Sequence, residues 1–330
     1  MTDPSPAHTP TATAPDPLRE AFGRLRAEVG KAVVGQEGAV SGMIVGILAQ
    51  GHVLLEGVPG VAKTLLVRSV AAAMSLDTKR IQFTPDLMPG DVTGSLVFDA
   101  STGTFPFREG PVFTNVLLAD EVNRTPPKTQ SALLEAMEER QVSVDGAARP
   151  LPEPFLVAAT MNPIEFEGTY TLPEAQLDRF LVKLTLDVPP RDVEWQVLRR
   201  HADGFVPRDV RSAGIRPVLG ADEVLAAQRA VRAVRARDDV LAYVVDLARA
   251  TRQAPSVRVG VSPRGATALL AAAKAWAWLT GYDAVTPDHV QAMLVPVWRH
   301  RLRVAADAEL EGVGAEVLLQ QVVEQVRVPF

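Results

Sequence analysis

Short, almost continuous apolar runs alternate with helical patterns between residue 18 and about residue 186. Five of these runs have the composition of buried strands, and they occupy residues 53–55, 81–83, 116–119, 155–159 and 181–186. Strands that are apolar on both faces and separated by helices are typical of a parallel sheet covered by helices on each side. We therefore expect an α/β fold for this part of the chain.

Beyond Pro190 the strand pattern gives way to helical periodicity. Apolar residues at positions 224, 227, 231 and 234 repeat with the spacing of one helix face, and similar faces recur around 241–252, 266–279 and 290–302. The pattern predicts an α/β core at 18–188, a linker at 189–220 and an all-α domain at 221–330. Residues 1–17 are rich in Pro, Ala and Thr without apolar periodicity, so we expect a disordered tail there.

The composition excludes several kinds of site. With 47% hydrophobic and 22% charged residues, the 330-residue chain can bury a sizeable core. It has no cysteine, which rules out disulfides, thiol nucleophiles and Cys-ligated zinc. Its five histidines are scattered, without the H-E-x-x-H pair that holds a metal on one helix face.

The charge and the apolar runs also limit partners and location. A formal charge of −5 counts against nucleic acid as the main partner, although a local basic stripe stays open. No apolar run approaches the ~18 residues of a membrane span, and the N-terminus lacks the basic and apolar regions of a signal peptide. We expect a soluble cytoplasmic protein.

A candidate phosphate-binding loop follows the first predicted strand and opens a helix. It reads GVPGVAKT and consists of Gly57, Val58, Pro59, Gly60, Val61, Ala62, Lys63 and Thr64. In such a loop the backbone N–H groups surround the β-phosphate, Lys63 reaches the β and γ oxygens, and Thr64 binds Mg²⁺. The strict pattern has glycine where Ala62 stands, and a methyl group is tolerated there if φ is negative. The alternative is a tight Gly-Pro turn followed by an accidental Lys-Thr pair.

Asp120 and Glu121 end the third predicted strand. Asp120 is predicted to act as a Mg²⁺ ligand through a metal-bound water, and Glu121 to polarise the water that attacks the phosphate. Two carboxylates at a strand end could instead cap the next helix. Found after a phosphate-binding loop, they favour nucleotide hydrolysis, and the absence of a base-reading N-K-x-D motif favours ATP over GTP.

Arg264 stands where a helix start would normally carry an acid. Ser262, Pro263 and Arg264 read as the N-cap and the first two residues of a helix. A cation there opposes the helix dipole by about 0.3–1 kcal/mol. The similar start at residues 286–288 carries the expected Asp288. The contrast suggests an anionic partner for Arg264, and an ATP phosphate is the obvious one.

Six segments of the sequence resemble the MoxR-type AAA+ ATPases, from about residue 33 to residue 302. They are VVGQEGAV (33–40), GVPGVAKT (57–64), QFTPDLMPGDVTG (82–94), FREGPVFTNVLLADEVNRTPPKTQSALLEAMEERQVSVDG (107–146), MNPIEFEGTYTLPEAQLDRF (161–180) and SPRGA (262–266). The family commonly carries alanine at the position of Ala62. Met161 is a departure, because glutamine usually precedes the asparagine that here is Asn162.

The resemblance implies a ring, expected to be hexameric, of Mg²⁺-dependent ATPase subunits. Each subunit would have a P-loop α/β core with a five-stranded parallel sheet, followed by an all-α lid. Residues 95–108 would form a hairpin inserted in the second helix, and residues 141–152 a hairpin before the sensor 1 strand. Family partners are often proteins with a von Willebrand A domain, and the role is chaperone-like remodelling or maturation.

The resemblance also implies roles for single residues. Asn162 is in the position of sensor 1, where its amide can bridge the γ-phosphate and the attacking water; the alternative is a turn-forming asparagine before a proline. Arg179 resembles the arginine finger, which neutralises transition-state charge in the neighbouring subunit's site. The alternative is an ion pair within its own subunit, with Asp178 or Glu174. Arg264 matches sensor 2.

Further positions are open to two interpretations. Val34 and Gly35 precede the first core helix and, as in the family, would line the adenine pocket, whereas a generic turn explains Gly35 nearly as well. Arg124 and Lys128 follow the carboxylate-bearing strand and face either a neighbouring subunit or solvent.

Two other functions stay open. The first is an ATP-gated assembly or binding switch, in which hydrolysis only resets the bound state. The second is a nucleic-acid motor or transcription activator, which shares much of this core. The acidic net charge and the absence of a G-A-F-T-G-A loop count against the second.

Overall fold

The computed structural model describes residues 16–162, 170 and 172–329. The chain forms two compact units. One consists of Ala21–Gln228, and the other combines residues 229–329 with the N-terminal residues 16–20.

The helices and strands alternate in the first unit, and helices dominate the second. The helices are α1 (Pro17–Gly30), α2 (Glu37–Leu48), α3 (Lys63–Ala73), α4 (Pro89–Thr93), α5 (Pro127–Glu139), α6 (Glu174–Leu177), α7 (Arg191–Ala202), α8 (Ala221–Ala233), α9 (Asp238–Gln253), α10 (Pro263–Thr280), α11 (Pro287–Trp298), α12 (Ala306–Leu310) and α13 (Ala315–Gln325). The strands are β1 (His52–Glu56), β2 (Thr78–Gln82), β3 (Gly94–Leu96), β4 (Phe107–Glu109), β5 (Val116–Asp120), β6 (Gln141–Val144), β7 (Ala147–Pro150), β8 (Leu156–Met161), β9 (Phe180–Thr185), β10 (Val257–Val259) and β11 (Arg303–Val304).

Five parallel strands form the central sheet in the order β2-β5-β8-β1-β9. The predicted α/β fold and all five predicted strands are confirmed, with shifts at their ends. The largest shift is in β2, which begins at Thr78 although its apolar signal begins at Ile81. As an edge strand, β2 buries only Ile81, so most of its residues are polar and its apolar run is short.

Helix α2 packs against β1 and β9, and two of its glycines allow the close approach. A Cβ atom added at Gly42 would lie 2.4 Å from Leu184 Cδ2, and one added at Gly46 would lie 2.5 Å from Val53 Cγ2. Any larger residue at these positions would push the helix away from the sheet.

Both predicted hairpins are present, as β3–β4 and β6–β7. The first was expected to interrupt a helix, and this detail is wrong. It follows the short helix α4, but residues 110–115 run through a turn directly into β5. After the hairpin the chain packs against the end of α4. A Cβ atom added at Gly110 would lie 2.3 Å from Val92 O, and the Val112 amide donates to the same oxygen at 3.2 Å.

The helical part confirms the predicted periodicity. Val224, Ala227 and Val231 of α8 are buried, and so is Val234, which directly follows the helix. Helices α9, α10 and α11 pack together, and the Trp298 indole N–H donates to Gly265 O at 2.8 Å, which joins the end of α11 to the start of α10. Helices α12 and α13 lie in the predicted all-α domain but were not predicted individually, and the short strands β10 and β11 were not expected there.

The compact units divide at Gln228, whereas the sequence placed the boundary near Pro190. The expected linker at 189–220 contains helix α7, and residues beyond it are bound to the first unit. The Val218 amide donates to Ala73 O at 2.8 Å, and the Gln228 side chain donates to Ile47 O at 2.7 Å. Of the expected tail, residues 1–15 lie outside the described residues and Pro17 begins α1.

Candidate active site

The phosphate-binding loop connects the end of β1 to the start of α3, as predicted. Gly57 has no room for a side chain, because a Cβ atom would lie 2.5 Å from Leu186 O, and Gly60 has φ +91°. Lys63 is the first residue of α3, and its ammonium group donates to the carbonyl oxygens of Gly57 and, at 3.3 Å, of Val58. The loop is therefore folded around the Lys63 ammonium group.

Ala62 corrects one expectation. Its φ is +70°, in the left-handed region, so the negative φ that would make its methyl group harmless is not present. A non-glycine residue costs about 1–2 kcal/mol in this conformation. Because alanine carries no polar side chain, it cannot cap the first amides of α3, which remain suited to an anion such as phosphate.

Asp120 is a nearly buried carboxylate at the end of β5. Its Oδ2 accepts a hydrogen bond from Arg80 Nε at 2.6 Å, and its Oδ1 accepts one from Thr160 Oγ1 at 3.1 Å. Arg80 lies on β2 and Thr160 on β8, so the strands on either side of β5 both hold this carboxylate. Removing one partner from a buried ion pair is strongly destabilising, so these two contacts hold the Asp120 side chain in place.

Glu121 leaves the strand in a left-handed conformation, with φ +57°. Its amide donates to Thr160 Oγ1 at 2.9 Å, and its Oε2 accepts from Gln82 Nε2 at 2.7 Å and pairs with Arg124 Nη1 at 3.2 Å. Left-handed non-glycine residues concentrate at functional sites, where the surrounding contacts hold them in place. Neither carboxylate is used as a cap: both bind side chains on other elements or further along the turn.

Asn162 directly follows β8 and is buried. Because β8 lies between β5 and β1, Asn162 is at the same edge of the sheet as Asp120 and the phosphate-binding loop. The proline on which the alternative turn interpretation depends, Pro163, lies outside the described residues.

Arg179 lies immediately before β9 and pairs with Glu138 of α5, with Nη2 and Oε2 3.0 Å apart. This carboxylate differs from the two that the sequence suggested, Asp178 and Glu174. Phe180 pairs with His52 at the start of β1, whereas the phosphate-binding loop follows the end of β1. At about 3.3 Å per residue, Arg179 is therefore on the order of 15 Å from its own phosphate-binding loop.

A cavity of about 450 Å³ adjoins the phosphate-binding loop, and Val34 lines it. Gly35 has φ +71°, and a Cβ atom there would lie 2.6 Å from Val193 Cγ1 on α7. Glycine is thus needed for α7 to approach, which a generic turn would not require. Residues on and after α7 complete the lining, among them Glu194, Leu198, Arg200, His201 and Phe205. These residues were not predicted, because their segment was assigned to a linker.

The second unit carries Arg264 as predicted, at the second position of α10. Ser262 is the N-cap, and its hydroxyl accepts from the Gly265 amide at 3.1 Å. Arg264 is exposed. Arg124, which was expected to face a neighbour or solvent, pairs with Glu121 of its own chain, and Lys128 is exposed on the first turn of α5.

Three further polar residues at the site were missed: Arg80, Gln82 and Thr160. Arg80 Nη2 donates to Gln82 Oε1 at 3.1 Å, and Gln82 in turn donates to Glu121. The signal that could have found them is strand order, because polar residues on the two strands flanking β5 lie beside its carboxylates.

The donor groups fit a magnesium ion held together with a nucleotide. Within the described ranges, no three His, Cys, Asp or Glu side chains form a metal cluster. Mg²⁺ in nucleotide sites takes one or two protein ligands and completes its shell with phosphates and water. The Thr64 hydroxyl and the Asp120 carboxylate match that requirement.

None of the described helices is long and apolar enough to cross a membrane.

The chain is similar to known proteins over most of its length. The family model "ATPase family associated with various cellular activities (AAA)" matches residues 52–182, and the "AAA lid domain" model matches residues 249–322. The chain is 46% identical to YeaC of Bacillus subtilis, over 94% of this chain and 96% of that protein. It is 41% identical to Chaperone MoxR1 of Mycobacterium tuberculosis, over 98% of this chain and 88% of that protein. A crystal structure of a Cytophaga hutchinsonii protein, 38% identical, superposes with a TM-score of 0.86 and covers 95% of this chain and 96% of that one.

Proposed function

The chain belongs to the MoxR-type AAA+ ATPases, and on this basis we propose that it hydrolyses ATP to ADP and phosphate with Mg²⁺. The observation that carries the proposal is the pair of carboxylates at the end of β5. Asp120 and Glu121 are adjacent in sequence but bind different side chains, so one is suited to hold a cation and the other to act on water.

Each residue of the proposed site has a separate role in binding or hydrolysis. The amides of the phosphate-binding loop and the start of α3 hold the β-phosphate, and Lys63 exchanges its loop carbonyls for phosphate oxygens. Thr64 and Asp120 hold Mg²⁺, which when bound neutralises charge on the β and γ phosphates. Glu121 orients the attacking water and accepts its proton. Asn162 contacts the γ-phosphate and that water from the neighbouring strand.

We extend the proposal to a ring, expected to be a hexamer. Arg179 lies at the opposite end of β1 from its own phosphate-binding loop. An arginine in that place is too far away to act on its own nucleotide, which supports action on the nucleotide of an adjacent subunit. Arg264 then acts as sensor 2 from the helical lid.

The biological role follows from similarity. One relative carries the name Chaperone MoxR1, and we propose a similar chaperone-like remodelling or maturation of a partner protein in the cytoplasm. By family resemblance the partner carries a von Willebrand A domain. The alternative function is an ATP-gated switch. In such a switch ATP binding sets the assembly with a partner, and hydrolysis only resets it.

Two substitutions test the division of work between binding and hydrolysis. Glu121→Gln should bind ATP and Mg²⁺ with near-normal affinity and lose on the order of 10²–10⁴ in turnover, because the water loses its base. Lys63→Ala should lose ATP affinity instead. Binding of a fluorescent ATP analogue and phosphate release are the measurements.

The matched control is Glu324→Gln, which makes the same change on the exposed face of α13 and should leave both quantities unchanged. If Glu121→Gln hydrolysed ATP at the wild-type rate, the proposed site would be wrong.

A further inference from the structure

We propose that Arg80 is an internal counter-ion that holds Asp120 until Mg²⁺ displaces it. The inference rests on the proposed function, since it concerns the same metal site. It adds a residue that competes with the metal, so that Mg²⁺ binding is an exchange of one cation for another.

The two partners of this ion pair differ in their access to water. The side chain of Asp120 is 7% exposed, whereas that of Arg80 is 56% exposed. A carboxylate buried to this degree cannot lose its cation without a large desolvation cost. The Arg80 guanidinium is already more than half exposed, so it can move into solvent without disturbing the core. The pair is therefore arranged so that the cation can be exchanged while the carboxylate stays in place.

Arg80 and one of the two expected Mg²⁺ ligands adjoin the same cavity. Thr64, the other expected Mg²⁺ ligand, and Arg80 line a common open cavity of about 440 Å³. Arg80 Nε occupies Oδ2 of Asp120, while Oδ1 is held by the Thr160 hydroxyl. A cation that binds Asp120 therefore finds one carboxylate oxygen bonded to Arg80 and the other bonded to Thr160.

Competition reduces the apparent affinity for Mg²⁺ to the intrinsic affinity multiplied by the fraction of molecules in which Asp120 is released from Arg80. A charge-assisted hydrogen bond to a buried carboxylate is strong enough for that fraction to be small. Removing Arg80 should thus make Mg²⁺ bind more tightly and, in the absence of Mg²⁺, leave Asp120 buried without its cation.

The test compares Arg80→Gln with Lys79→Gln, which removes the same charge from the next residue of β2. Lys79 is exposed and, by strand alternation, points to the other face of the sheet. Binding of a non-hydrolysable ATP analogue is measured against free Mg²⁺ and in EDTA, and the melting temperature is measured without nucleotide or metal.

For Arg80→Gln we expect the Mg²⁺ concentration at half-maximal analogue binding to fall about 5- to 10-fold. The melting temperature of the metal-free protein should fall, and the analogue affinity in EDTA should stay within about 2-fold of wild type. Lys79→Gln should match wild type in all three measurements, and Arg80→Lys should lie between wild type and Arg80→Gln.

An unchanged Mg²⁺ midpoint in Arg80→Gln would overturn the inference, because Arg80 would then be only structural. Weaker analogue binding both in EDTA and with Mg²⁺ would overturn it too, since Arg80 would then be a phosphate ligand. If the wild-type protein itself bound the analogue without any effect of Mg²⁺, the proposed function would fail first.

Discussion

At the scale of single residues, His52 shows how a polar side chain can be a fixed part of the core. Its ring is buried at the start of β1. The Val157 amide donates to Nδ1 at 2.9 Å, and Nε2 lies 3.0 Å from Met137 O. An amide can donate only to a ring nitrogen without a proton, so Nε2 carries the proton and the ring is neutral. Burial lowers the pKa of His52 to about 4.

This pKa predicts acid destabilisation. The pKa of the folded protein, about 4, is below the ordinary 6.5 of an unfolded chain, so the unfolded state takes up the proton first. The contribution of His52 to the free energy of unfolding is fully present above pH 6.5. It is lost as the pH falls from 6.5 towards 4, by about 3 kcal/mol in total. Urea unfolding at several pH values should show the free energy of unfolding decreasing between pH 6.5 and 4. In His52→Gln this slope against pH should be smaller.

His201→Gln, which alters an exposed histidine, is the control and should keep the wild-type slope. An identical slope in His52→Gln would mean that other groups cause the acid destabilisation.

The residues of the phosphate-binding loop could be read from the sequence, but their conformations and partners could not. GVPGVAKT identifies the loop, yet only the structure shows that Ala62 adopts a left-handed conformation. Arg80 and Thr160 are far from Asp120 in sequence and reach it from the two adjacent strands. A motif that records spacing along one chain segment carries no information about such neighbours.

At the scale of elements, apolar patterns predicted buried strands better than exposed ones. β1, β5 and β8 are buried along nearly their whole length and were found close to their true limits. β2 is mostly exposed, and α7 has no buried residue among those described. The short apolar face of α7 lies in a strongly polar segment with no fully buried residue, and this segment was assigned to a linker.

Helices α10 and α11 begin in the same way except for one charge. Each has a hydroxyl residue at the N-cap and proline at the first position, but the second position is Arg264 in α10 and Asp288 in α11. A cation opposes the helix dipole and an anion favours it, by about 0.3–1 kcal/mol each. The helix dipole therefore accounts for Asp288 but not for Arg264, for which sensor 2 stays a prediction.

The two helix starts provide a matched experiment. Arg264→Ala should keep or slightly raise the melting temperature and should lower ATP turnover or affinity, because an anionic ligand loses its partner. Asp288→Ala should lower the melting temperature slightly and leave turnover unchanged. Thermal unfolding without nucleotide and steady-state phosphate release measure the two effects. A clear loss of stability in Arg264→Ala with normal turnover would favour a structural role.

At the scale of the whole molecule, the position of Arg179 decides whether one chain can form a complete site. The sequence identified this residue only by resemblance. The sheet adds a physical reason, since Arg179 lies next to the start of β1 and the phosphate-binding loop follows its end. In the single chain Arg179 pairs with Glu138, and both side chains are partly exposed. An ion pair of this kind is weak, so Arg179 can leave it at little cost.

If Arg179 acts in an adjacent subunit, Arg179→Ala should lose up to ~10³ in turnover, as for arginine fingers supplied in trans. The Arg179→Ala variant keeps an intact phosphate-binding loop, whereas the Lys63→Ala variant keeps Arg179 and loses the lysine of the loop. In a mixed ring, an intact Lys63 site can therefore face an intact Arg179. Two nearly inactive proteins should regain ATPase activity when they exchange subunits, and the gain should depend on the mixing ratio. Subunit exchange is followed independently by fluorescence energy transfer between labelled copies. Exchange without any recovered activity would count against action across subunits, because an arginine that serves its own chain cannot complement a second inactive protein.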